Sequence, residues 1–570
     1  MNIATRLKAL AGTILIGVLM YYLFLPAANI HSDGLWWFLV VLGVVYCGCY
    51  FIFMYMSDGE YDNSITAALV FSAATMIILI ITSITGSRMF NARRYSDIMD
   101  DFITTEDWNT IEDVSSVENI ALIDTDTARV FGERTLGGLS DIVSQYEMSN
   151  AFTQINYQGK PMKVSLLRYG GFFKWKNNKE NGIPGYILVD PVKNEGQYVK
   201  LKEGVKYSPS ECFGRDLHRY LRNRYPSDLF SYAYFEIDEE GYPYYIAPVY
   251  KTTIGLFGGK VITHVIILDA ITGDCEKIKV EDAPEWIDVI YDGDYLTDYI
   301  DDYCLYKNGF WNTIFGSKDC KSVTKIPTGD DDDNSYDTDY GYIADGKDIW
   351  IYTGITSTSS DSSNIAVVMA NERTGETKYF EVSGADEYSA MMAAEGEVQQ
   401  YKYKASFPSL ISVNGMPTYI MVLCDANKIV KKFAMVNMEN YSKVAVADTQ
   451  EEVFALYVQK MGIASQYDIE DIAEDVNDTE NTKETPEDAS QSTEEPEQEM
   501  EYANTTIKVK QVQFIVTDGN TIVYVTDGND KIWKTAFDEF FLSVKEMDEI
   551  PISYDKAKAG DNIIEFKLNQ

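Results

Sequence analysis

Three uninterrupted apolar runs near the N-terminus restrict this chain more than any other feature. Residues 10–28, 35–56 and 65–86 each extend for about twenty positions without an acidic or basic side chain. A helix rises about 1.5 Å per residue, so a run of this length crosses a bilayer core of about 30 Å. The sequence therefore predicts three transmembrane helices.

The first run begins like a signal peptide but lacks a cleavage site. Arg6 and Lys8 precede it, whereas Tyr21, Tyr22 and Pro26 stand where cleavage would need small residues. We therefore expect an uncleaved anchor. The runs also lack the ionisable side chains that transport pathways need, so anchoring is favoured over transport.

Two groups of basic residues give opposite predictions of orientation. Arg6 and Lys8 favour a cytoplasmic N-terminus and an outer C-terminal region, whereas Arg88, Arg93 and Arg94 favour the reverse. Because the first span usually dominates, we expect a multi-pass protein of the cell membrane with an extracytoplasmic C-terminal region. Its acidic, Tyr/Thr/Ser/Asn-rich β composition resembles that of exported bacterial domains.

The rest of the chain is strongly acidic. It carries 88 acidic and 48 basic residues, a formal net charge of −40 over 570 residues, which argues against binding nucleic acid or an anionic lipid surface. Residues 466–501 hold fifteen acidic residues against Lys483 and have no aromatic residue after Tyr467. This composition cannot bury a core, so it predicts a disordered acidic linker.

We predict a membrane-anchored α+β fold with mainly antiparallel sheets. The predicted segments are a three-helix anchor (1–94), a membrane-proximal α+β region beginning with a helix over 95–107 (95–207), a helix with an antiparallel sheet (208–300), a second α+β module (301–465), the linker (466–501) and a small OB-like β-barrel (502–570).

Residues 208–211 have the pattern of a helix start. A serine at the N-cap, a proline at the first helical position and a glutamate two residues later predict a helix over 209–224. Arg215, Arg219 and Arg222 form a basic stripe on this helix. The stripe could bind an anionic partner; the alternative is pairing with the protein's own carboxylates.

Beyond residue 232 the pattern changes to period two, typical of strands. Runs at 234–238, 244–251 and 261–269 are separated by glycine turns, and an Asp-Ala-Ile-Thr-Gly-Asp turn at 269–274 leads into a strand over 275–280. Residues 367–380 repeat the order of strand, Thr-Gly-acid turn and strand. This repetition predicts a duplicated β-rich module.

The motifs at 236–238, 244–246, 265–270 and 272–274 resemble those of the PepSY family. The similarity covers residues 208–280, and this chain departs from it by a glycine-rich loop at 255–259. The resemblance implies a helix packed on a small antiparallel sheet, a link to bacterial envelope proteins and a proposed role in peptidase inhibition. The whole chain resembles uncharacterised bacterial membrane proteins.

In the C-terminal segment, the sequence pattern predicts strands over 507–517, 521–526, 531–535 and 562–567, and a helix near 537–546. This order resembles a small OB-like barrel. Tyr524 and Trp533 are the stacking residues that such a fold could offer to a ligand, so a closing or protein-contact module is favoured over a nucleic-acid site.

Catalytic motifs are missing from the sequence. His31, His218 and His264 are scattered, no nucleotide loop or nucleophile elbow is present, and no cysteine spacing suits zinc. The one cysteine pair that merits a test is Cys304 with Cys320. We therefore predict no cofactor.

Residues 308–311 have the pattern of a turn, which we expect to expose aromatic residues.

The densest group of oxygen ligands is a candidate calcium site. The group spans 330–334 and includes Asp337 and Asp339, although it lacks the glycine and the final acid of an EF-hand. Its candidate ligands are Asp330, Asp332 and Asn334. The alternative is an acidic surface loop.

These features favour a non-enzymatic, membrane-anchored envelope scaffold or binding protein that contacts other membrane or envelope proteins. One alternative is a membrane sensor or regulatory subunit. A second is a carboxylate-based hydrolase, which would need a concave pocket holding two acids with perturbed pKa values.

Overall fold

The computed structural model divides into two compact units, Met1–Thr482 and Lys483–Gln570. The structure describes residues 2–56, 63–117, 120–327, 336–338, 340–345, 348–358, 360–467, 502–517, 520–527, 531–536, 549–555 and 563–568.

Three long helices open the first unit: α1 (Asn2–Phe24), α2 (Asp33–Met56) and α3 (Asn63–Thr85). Each is long and apolar enough to span a membrane, which confirms the three predicted apolar helices. Helix α2 packs against both α1 and α3. Many apolar side chains on these helices remain exposed, as expected of surfaces that face lipid.

The membrane-proximal helix predicted over 95–107 is wrong in its position. Helix α4 (Arg88–Ser96) starts soon after α3 and leads into a 3₁₀ turn, and strand β1 (Ile103–Glu106) follows. Residues 103–105 are β-branched, which favours an extended backbone over a helix.

Residues 125–205, here module A, combine helices with a five-stranded antiparallel sheet of order β2-β4-β5-β6 in which β3 also pairs with β4. Its elements are α5 (Thr125–Gly137), α6 (Ser140–Val143), β2 (Tyr146–Met148), β3 (Thr153–Tyr157), β4 (Lys160–Tyr169), α7 (Phe172–Asn178), β5 (Ile183–Asp190) and β6 (Glu195–Val205).

Residues 217–279, here module B, repeat this arrangement in a simpler form. The elements are α8 (Leu217–Arg224), β7 (Tyr234–Ile237), β8 (Pro243–Ile254), β9 (Gly258–Asp269) and β10 (Cys275–Lys279). The strands form an antiparallel meander of order β10-β9-β8-β7.

Residues 293–385, here module C, begin with α9, which crosses the boundary predicted at residue 300. The elements are α9 (Gly293–Tyr306), α10 (Phe310–Phe315), β11 (Lys321–Val323), β12 (Lys325–Pro327), β13 (Tyr336–Thr338), β14 (Gly341–Asp345), β15 (Asp348–Ser357), β16 (Ser360–Asn371), β17 (Thr377–Phe380) and β18 (Gly384–Ala385). The main sheet has the order β1-β17-β16-β15-β11, with β1 parallel to β17 and with β14 on β15 and β18 on β16. Strands β12 and β13 form a separate pair.

Residues 387–447, here module D, contain a fourth helix and sheet. The elements are α11 (Glu387–Gly396), β19 (Lys404–Ala405), β20 (Ser409–Val413), β21 (Met416–Cys424), β22 (Val430–Asn437) and β23 (Val444–Ala447). The sheet order is β19-β21-β22-β23, and β20 also pairs with β21. Helix α12 (Gln450–Lys460) packs on β22 and β23.

Modules A, B and C share the same type of turn before the last strand of the meander. In module B, Asp269 Oδ1 accepts from the main-chain N–H groups of Ile271 (2.8 Å) and Thr272 (2.9 Å). In module C, Asn371 Oδ1 accepts from Arg373 and Thr374, both at 2.9 Å. In module A, Asp190 Oδ1 accepts from Val192 and Lys193, both at 3.0 Å. The turn seen in the sequence at 269–274 and again at 371–376 therefore recurs in module A, and duplication of a whole module stays a prediction.

Shared cores join the four modules. One buried cluster takes residues from modules A, B and D, a second from B and C, and a third from C and D. Each sheet therefore buries apolar side chains against more than one neighbour. This arrangement leaves concave spaces where three modules meet.

The helix predicted over 209–224 is wrong in its first half. Phe213 has a φ of 59°, which an α-helix excludes, and α8 starts at Leu217 with Asp216 Oδ1 accepting from Arg219 N (3.0 Å). Glu211 is buried and accepts from Tyr169 Oη (2.9 Å) and Trp175 Nε1 (2.7 Å). These tertiary contacts use the carboxylate that the sequence pattern assigned to a helix cap.

The second unit contains β24 (Tyr502–Thr517), β25 (Asn520–Asp527), β26 (Ile532–Ala536), β27 (Glu549–Asp555) and β28 (Ile563–Leu568). Strand β24 pairs with β25 and β27, β25 with β26, and β28 with both β26 and β27. Only the β26–β28 pair is parallel among the described strands of this unit. The predicted helix near 537–546 lies outside the described residues, as does most of the predicted linker, and the OB-like assignment stays a prediction.

Candidate functional site

A cavity of about 640 Å³ lies where the segment before α5 meets modules A, C and D. Its wall is mainly polar, with carboxylates and lysines from segments that are far apart in sequence. The charged lining residues are Asp124, Asp126, Lys163, Asp294, Asp298 and Lys428.

Helix caps position the carboxylates of this cavity. Asp124 caps α5 by accepting from Thr127 N (2.7 Å). Asp292 caps α9 by accepting from Tyr295 N (2.8 Å), so the first turns of α9 present Asp294 and Asp298 to the cavity. These two residues are one helical turn apart and therefore share a face.

Lys163 is the buried cation of the cavity wall. It lies on β4 and is 2% exposed. Its Nζ is 3.4 Å from Thr125 Oγ1 and 4.8 Å from the centre of the Tyr342 ring. Burial lowers the pKa of Lys163 to about 8, although the negative charges of Asp124 and Glu372 act in the opposite direction.

Two buried carboxylates join modules A and B to the segment that precedes α9. Glu236 accepts from the main-chain N–H groups of Asp288 (2.9 Å) and Val289 (3.0 Å). Asp288 Oδ2 in turn accepts from Asn156 N on β3 (2.7 Å). Burial raises the pKa of both carboxyls, and the charge of Glu236 raises that of Asp288 further.

Glu372 is a third buried carboxyl and lies in the turn of module C. Its main-chain carbonyl accepts from Ile290 N (3.0 Å) and Tyr291 N (2.7 Å). Burial raises the pKa of its side chain, as do the charges of Asp292 and Glu236. The residues that line the cavity do not include Glu236, Asp288 or Glu372. Glu236 and Asp288 therefore join neighbouring segments through side-chain hydrogen bonds, whereas Glu372 does so through its main-chain carbonyl.

Helix α9 extends from this cavity to the membrane-proximal helix α4. At its far end Asp302 Oδ1 accepts from Arg88 Nε (2.5 Å), and Ser96 Oγ donates to Tyr303 O (3.2 Å). A second cavity, of about 390 Å³, lies on this path and shares Asp294 and Asp298 with the first. One helix thus contacts both cavities and the segment that follows α3.

The loop between α1 and α2 contacts the soluble region directly. His31 Nδ1 lies 2.8 Å from Leu256 O and 2.7 Å from Thr252 Oγ1, at the tip of the β8–β9 hairpin. Gly255 has a φ of 62°, and a Cβ there would lie 3.0 Å from Gly86 Cα, so glycine suits this close approach. The loop at 255–259, which departs from the PepSY pattern, is the segment that docks on the apolar helices.

The three arginines predicted as a stripe do not act together. Arg215 pairs with Glu211 (3.3 Å), which agrees with the alternative of pairing with the protein's own carboxylates. Arg219 donates to Tyr22 O (3.1 Å) at the end of α1, and its guanidinium lies 3.8 Å from the centre of the Tyr22 ring. Arg222 donates to Asp228 O (2.5 Å) and covers the Phe230 ring. Binding of a partner by these residues stays a prediction.

The remaining predicted site residues are the candidate calcium ligands, the cysteine pair and the histidines. Asp330, Asp332 and Asn334 lie outside the described residues, and within the described part no group of three or more His, Cys, Asp or Glu side chains is arranged for a metal. Cys304 and Cys320 are buried and carry free thiols, so the structure does not pair them. His218 packs on Phe230, and burial lowers its pKa.

Sequence reasoning missed Lys163, Glu236, Asp288 and Glu372. A signal was present in the sequence, because Lys163 precedes a mainly apolar run at 164–167 in β4, and Glu236 lies between Phe235 and Ile237 in β7. An ionisable residue in a buried strand has to find a partner or change its pKa. Which residues would surround it depends on module packing, which the sequence pattern does not specify.

Comparisons of the chain with protein-family models, with curated proteins and with solved structures each found no match.

Proposed function

We propose that this protein is a non-enzymatic, membrane-anchored envelope protein that binds a small polar ligand. The observation that carries the proposal is the cavity of about 640 Å³, with Lys163 in its wall and carboxylates from two helices around it. Small-molecule sites are concave and use a few convergent charged groups to orient the ligand. Most such sites have a largely apolar lining, whereas the lining here is mainly polar, which favours a polar ligand.

The charges of the wall favour a zwitterionic ligand. Asp294 and Asp298 on α9 would attract an ammonium group, whereas Lys163 and Lys428 would attract a carboxylate or phosphate. An amino acid or a short peptide carries both groups. The volume of about 640 Å³ is in the range of sites for such molecules.

We propose a multi-pass anchor with the soluble region on the extracytoplasmic side. The loop that carries His31 contacts module B, so this loop and the soluble region belong on one side of the bilayer. Basic residues after α3 would favour a cytoplasmic location for the soluble region under the positive-inside rule. Arg88 is one of them, and its pairing with Asp302 offsets its charge and so weakens this preference. Arg6 and Lys8 stand at the opposite end of α1 and favour a cytoplasmic N-terminus.

The PepSY-like and OB-like assignments belong to the same proposal. The meander of module B and the equivalent turns of modules A and C support a family of helix-plus-sheet modules. The pairings β24–β25–β26–β28–β27 with β27 returning to β24 support an OB-like order for the second unit. Because Tyr524 and Trp533 are the stacking residues that this unit could offer, we favour a protein-contact role for it over binding of nucleic acid.

Helix α9 favours a sensor as the second candidate function. Its first turns line the binding cavity, and its last turn pairs through Asp302 with Arg88, which follows α3 closely. A ligand that moves the first turn of α9 would alter this pair. A sensor would need two populations that the ligand shifts, whereas a simple binding protein would not. A hydrolase is less favoured because the buried acids with raised pKa do not line the cavity.

Topology in intact cells tests the envelope part of the proposal. A single cysteine introduced at Tyr441, which is 57% exposed in module D, would be treated with a membrane-impermeant thiol reagent. We expect labelling without lysis, and the parent chain supplies the background because its seven cysteines are buried or half-buried. Labelling that requires lysis would place the soluble region in the cytoplasm and overturn the envelope assignment.

A further inference from the structure

Helix α10 exposes an unusual number of large apolar side chains for a soluble surface. Trp311 is 54% exposed, Ile314 54% and Phe315 81%. The Trp311 and Phe315 rings stack at 5.8 Å with an interplanar angle of 18°, so they form one continuous surface. Contiguous apolar surfaces of this kind mark sites of contact with a protein or a membrane.

A second group of exposed apolar residues lies on the neighbouring helix α4. Phe90 is 62% exposed and Met89 39%. Helix α10 packs against α4, and Phe310 at its start stacks on Tyr306 at the end of α9, with ring centres 6.2 Å apart. We call Met89, Phe90, Trp311, Ile314 and Phe315 the α4–α10 patch.

The patch lies next to the end of an apolar helix. Helix α3 ends at Thr85, and α4 begins three residues later at Arg88. Met89 and Phe90 are therefore four and five residues from the end of the span, within about 18 Å even for a fully extended chain. If α3 crosses the bilayer, the patch lies at the depth of the headgroups.

We propose that the α4–α10 patch inserts into the interfacial layer of the bilayer that holds α1–α3. This inference rests on the membrane anchoring proposed above. Tryptophan and phenylalanine suit this layer, and short amphipathic segments bind it with the apolar side facing the acyl chains. Continuity with α3 identifies the occupant as lipid.

The polar surroundings of the patch fit the same layer. Arg93 on α4 and Lys307 and Lys318 on either side of α10 are exposed. Their charges suit lipid phosphates, which both zwitterionic and anionic headgroups supply. Because the chain has a net charge of −40, we expect phosphatidylcholine to be sufficient, without an anionic lipid. The proposed role is to fix the tilt of the soluble region on the membrane.

Depth-dependent quenching in vesicles tests the proposal. The full chain carrying Ile314→Cys would be labelled with an environment-sensitive fluorophore and reconstituted into phosphatidylcholine vesicles, with and without lipid bearing a nitroxide near the headgroup. We expect at least a twofold loss of fluorescence from the nitroxide lipid. The more exposed Phe315→Cys should give the same result at an independent position.

Two control positions separate the possible failures. Ile80→Cys, on α3 and 44% exposed, reports membrane insertion, and Tyr441→Cys reports a water-facing apolar position. If a nitroxide deep in the acyl chains fails to quench Ile80, the proposed anchoring is wrong. If Ile80 is quenched and Ile314 behaves like Tyr441, only the interfacial patch is overturned. An Ile314 signal that changes with protein density but not with nitroxide lipid would indicate a second copy of this chain and would also overturn it.

Discussion

Arg88 and Asp302 form an ion pair across two helices, with Arg88 Nε 2.5 Å from Asp302 Oδ1. The two partners differ in environment: the Arg88 side chain is 45% exposed and that of Asp302 is 4% exposed. Burial raises the pKa of Asp302, and the hydrogen bond from Arg88 opposes this shift. The pair therefore ties a buried carboxylate on α9 to the helix that follows α3.

Removing Arg88 should destabilise the first unit more than removing both partners. Arg88→Met leaves Asp302 buried without its cation, and we expect a loss of about 1 to 3 kcal/mol in the free energy of unfolding, reduced by the exposure of Arg88. Adding Asp302→Asn should restore part of that loss. Thermal unfolding of the full chain in nanodiscs measures both, and additive losses in the double variant would show that the two residues do not act as a pair.

Glu387 should make stability depend on pH. It is fully buried, Asn364 Nδ2 donates to its Oε2 (3.2 Å), and burial raises its pKa to about 7. The folded state thus binds a proton that the unfolded state releases between about pH 4.5 and 7. Stability should fall as pH rises through this window, by up to roughly 3 kcal/mol at about 1.4 kcal/mol per pKa unit.

Glu387→Gln should remove this part of the pH dependence. The parent should lose stability when the pH is raised from about 5 to about 8, and the variant should lose less. The measurement is the Tm of each protein at the two pH values. Glu397→Gln, an exposed position at the C-terminal end of α11, is the matched control and should follow the parent. A parent and a Glu387→Gln variant with parallel pH profiles would refute the assignment.

Lys163→Met should not destabilise the fold at neutral pH. Because the pKa of Lys163 is lowered to about 8, its charge costs folding energy below that pH, and the cost fades as pH rises to about 10.5. The variant should therefore be at least as stable as the parent at pH 7, by Tm, with the difference shrinking toward pH 10. Lys200→Met on β6, an exposed position, should show no such trend. A Tm loss of several degrees at pH 7 would mean that Lys163 stabilises the fold.

The repeated turns should respond unequally to the same substitution. Gly273 and Gly375 have φ values of 82° and 77°, which disfavour any side chain. A Cβ at Gly273 would lie 2.4 Å from the Tyr207 ring, whereas one at Gly375 would lie 3.1 Å from the Phe102 ring. We expect Gly375→Ala to cost on the order of 1 kcal/mol and Gly273→Ala clearly more, by Tm. Equal losses would contradict the packing at Tyr207.

Local signals predicted several elements well. Helix α12 has a local start signal in the sequence, since Thr449 Oγ1 accepts from Glu452 N (3.1 Å) in a regular N-cap. The strands and turn of module B also follow the period-two pattern closely. These features depend on residues within one or two turns of each other.

Tertiary contacts determine two features that the sequence pattern did not predict: where α8 begins and where the cavity lies. No α-helix begins at the Ser-Pro-x-Glu motif at 208–211, because the Glu211 carboxylate accepts hydrogen bonds from Trp175 and Tyr169 and does not cap a helix. The cavity was not foreseen because Lys163, Asp294 and Lys428 come from three different modules. Which face of each module packs on the next determines such a site, and composition and spacing do not reveal it.

Ligand binding by the full chain tests the central claim most directly. Thermal shift in nanodiscs would be measured with alanyl-alanine and lysyl-alanine as zwitterionic probes, and with acetate and methylammonium as single-charge controls. The proposal predicts that a dipeptide raises Tm by several degrees at saturation. It also predicts that Asp298→Asn and Lys163→Met abolish the shift, while Asp274→Asn, an exposed acid in the turn of module B, retains it. No shift with either dipeptide, or equal shifts in all three variants, would contradict a ligand site in this cavity.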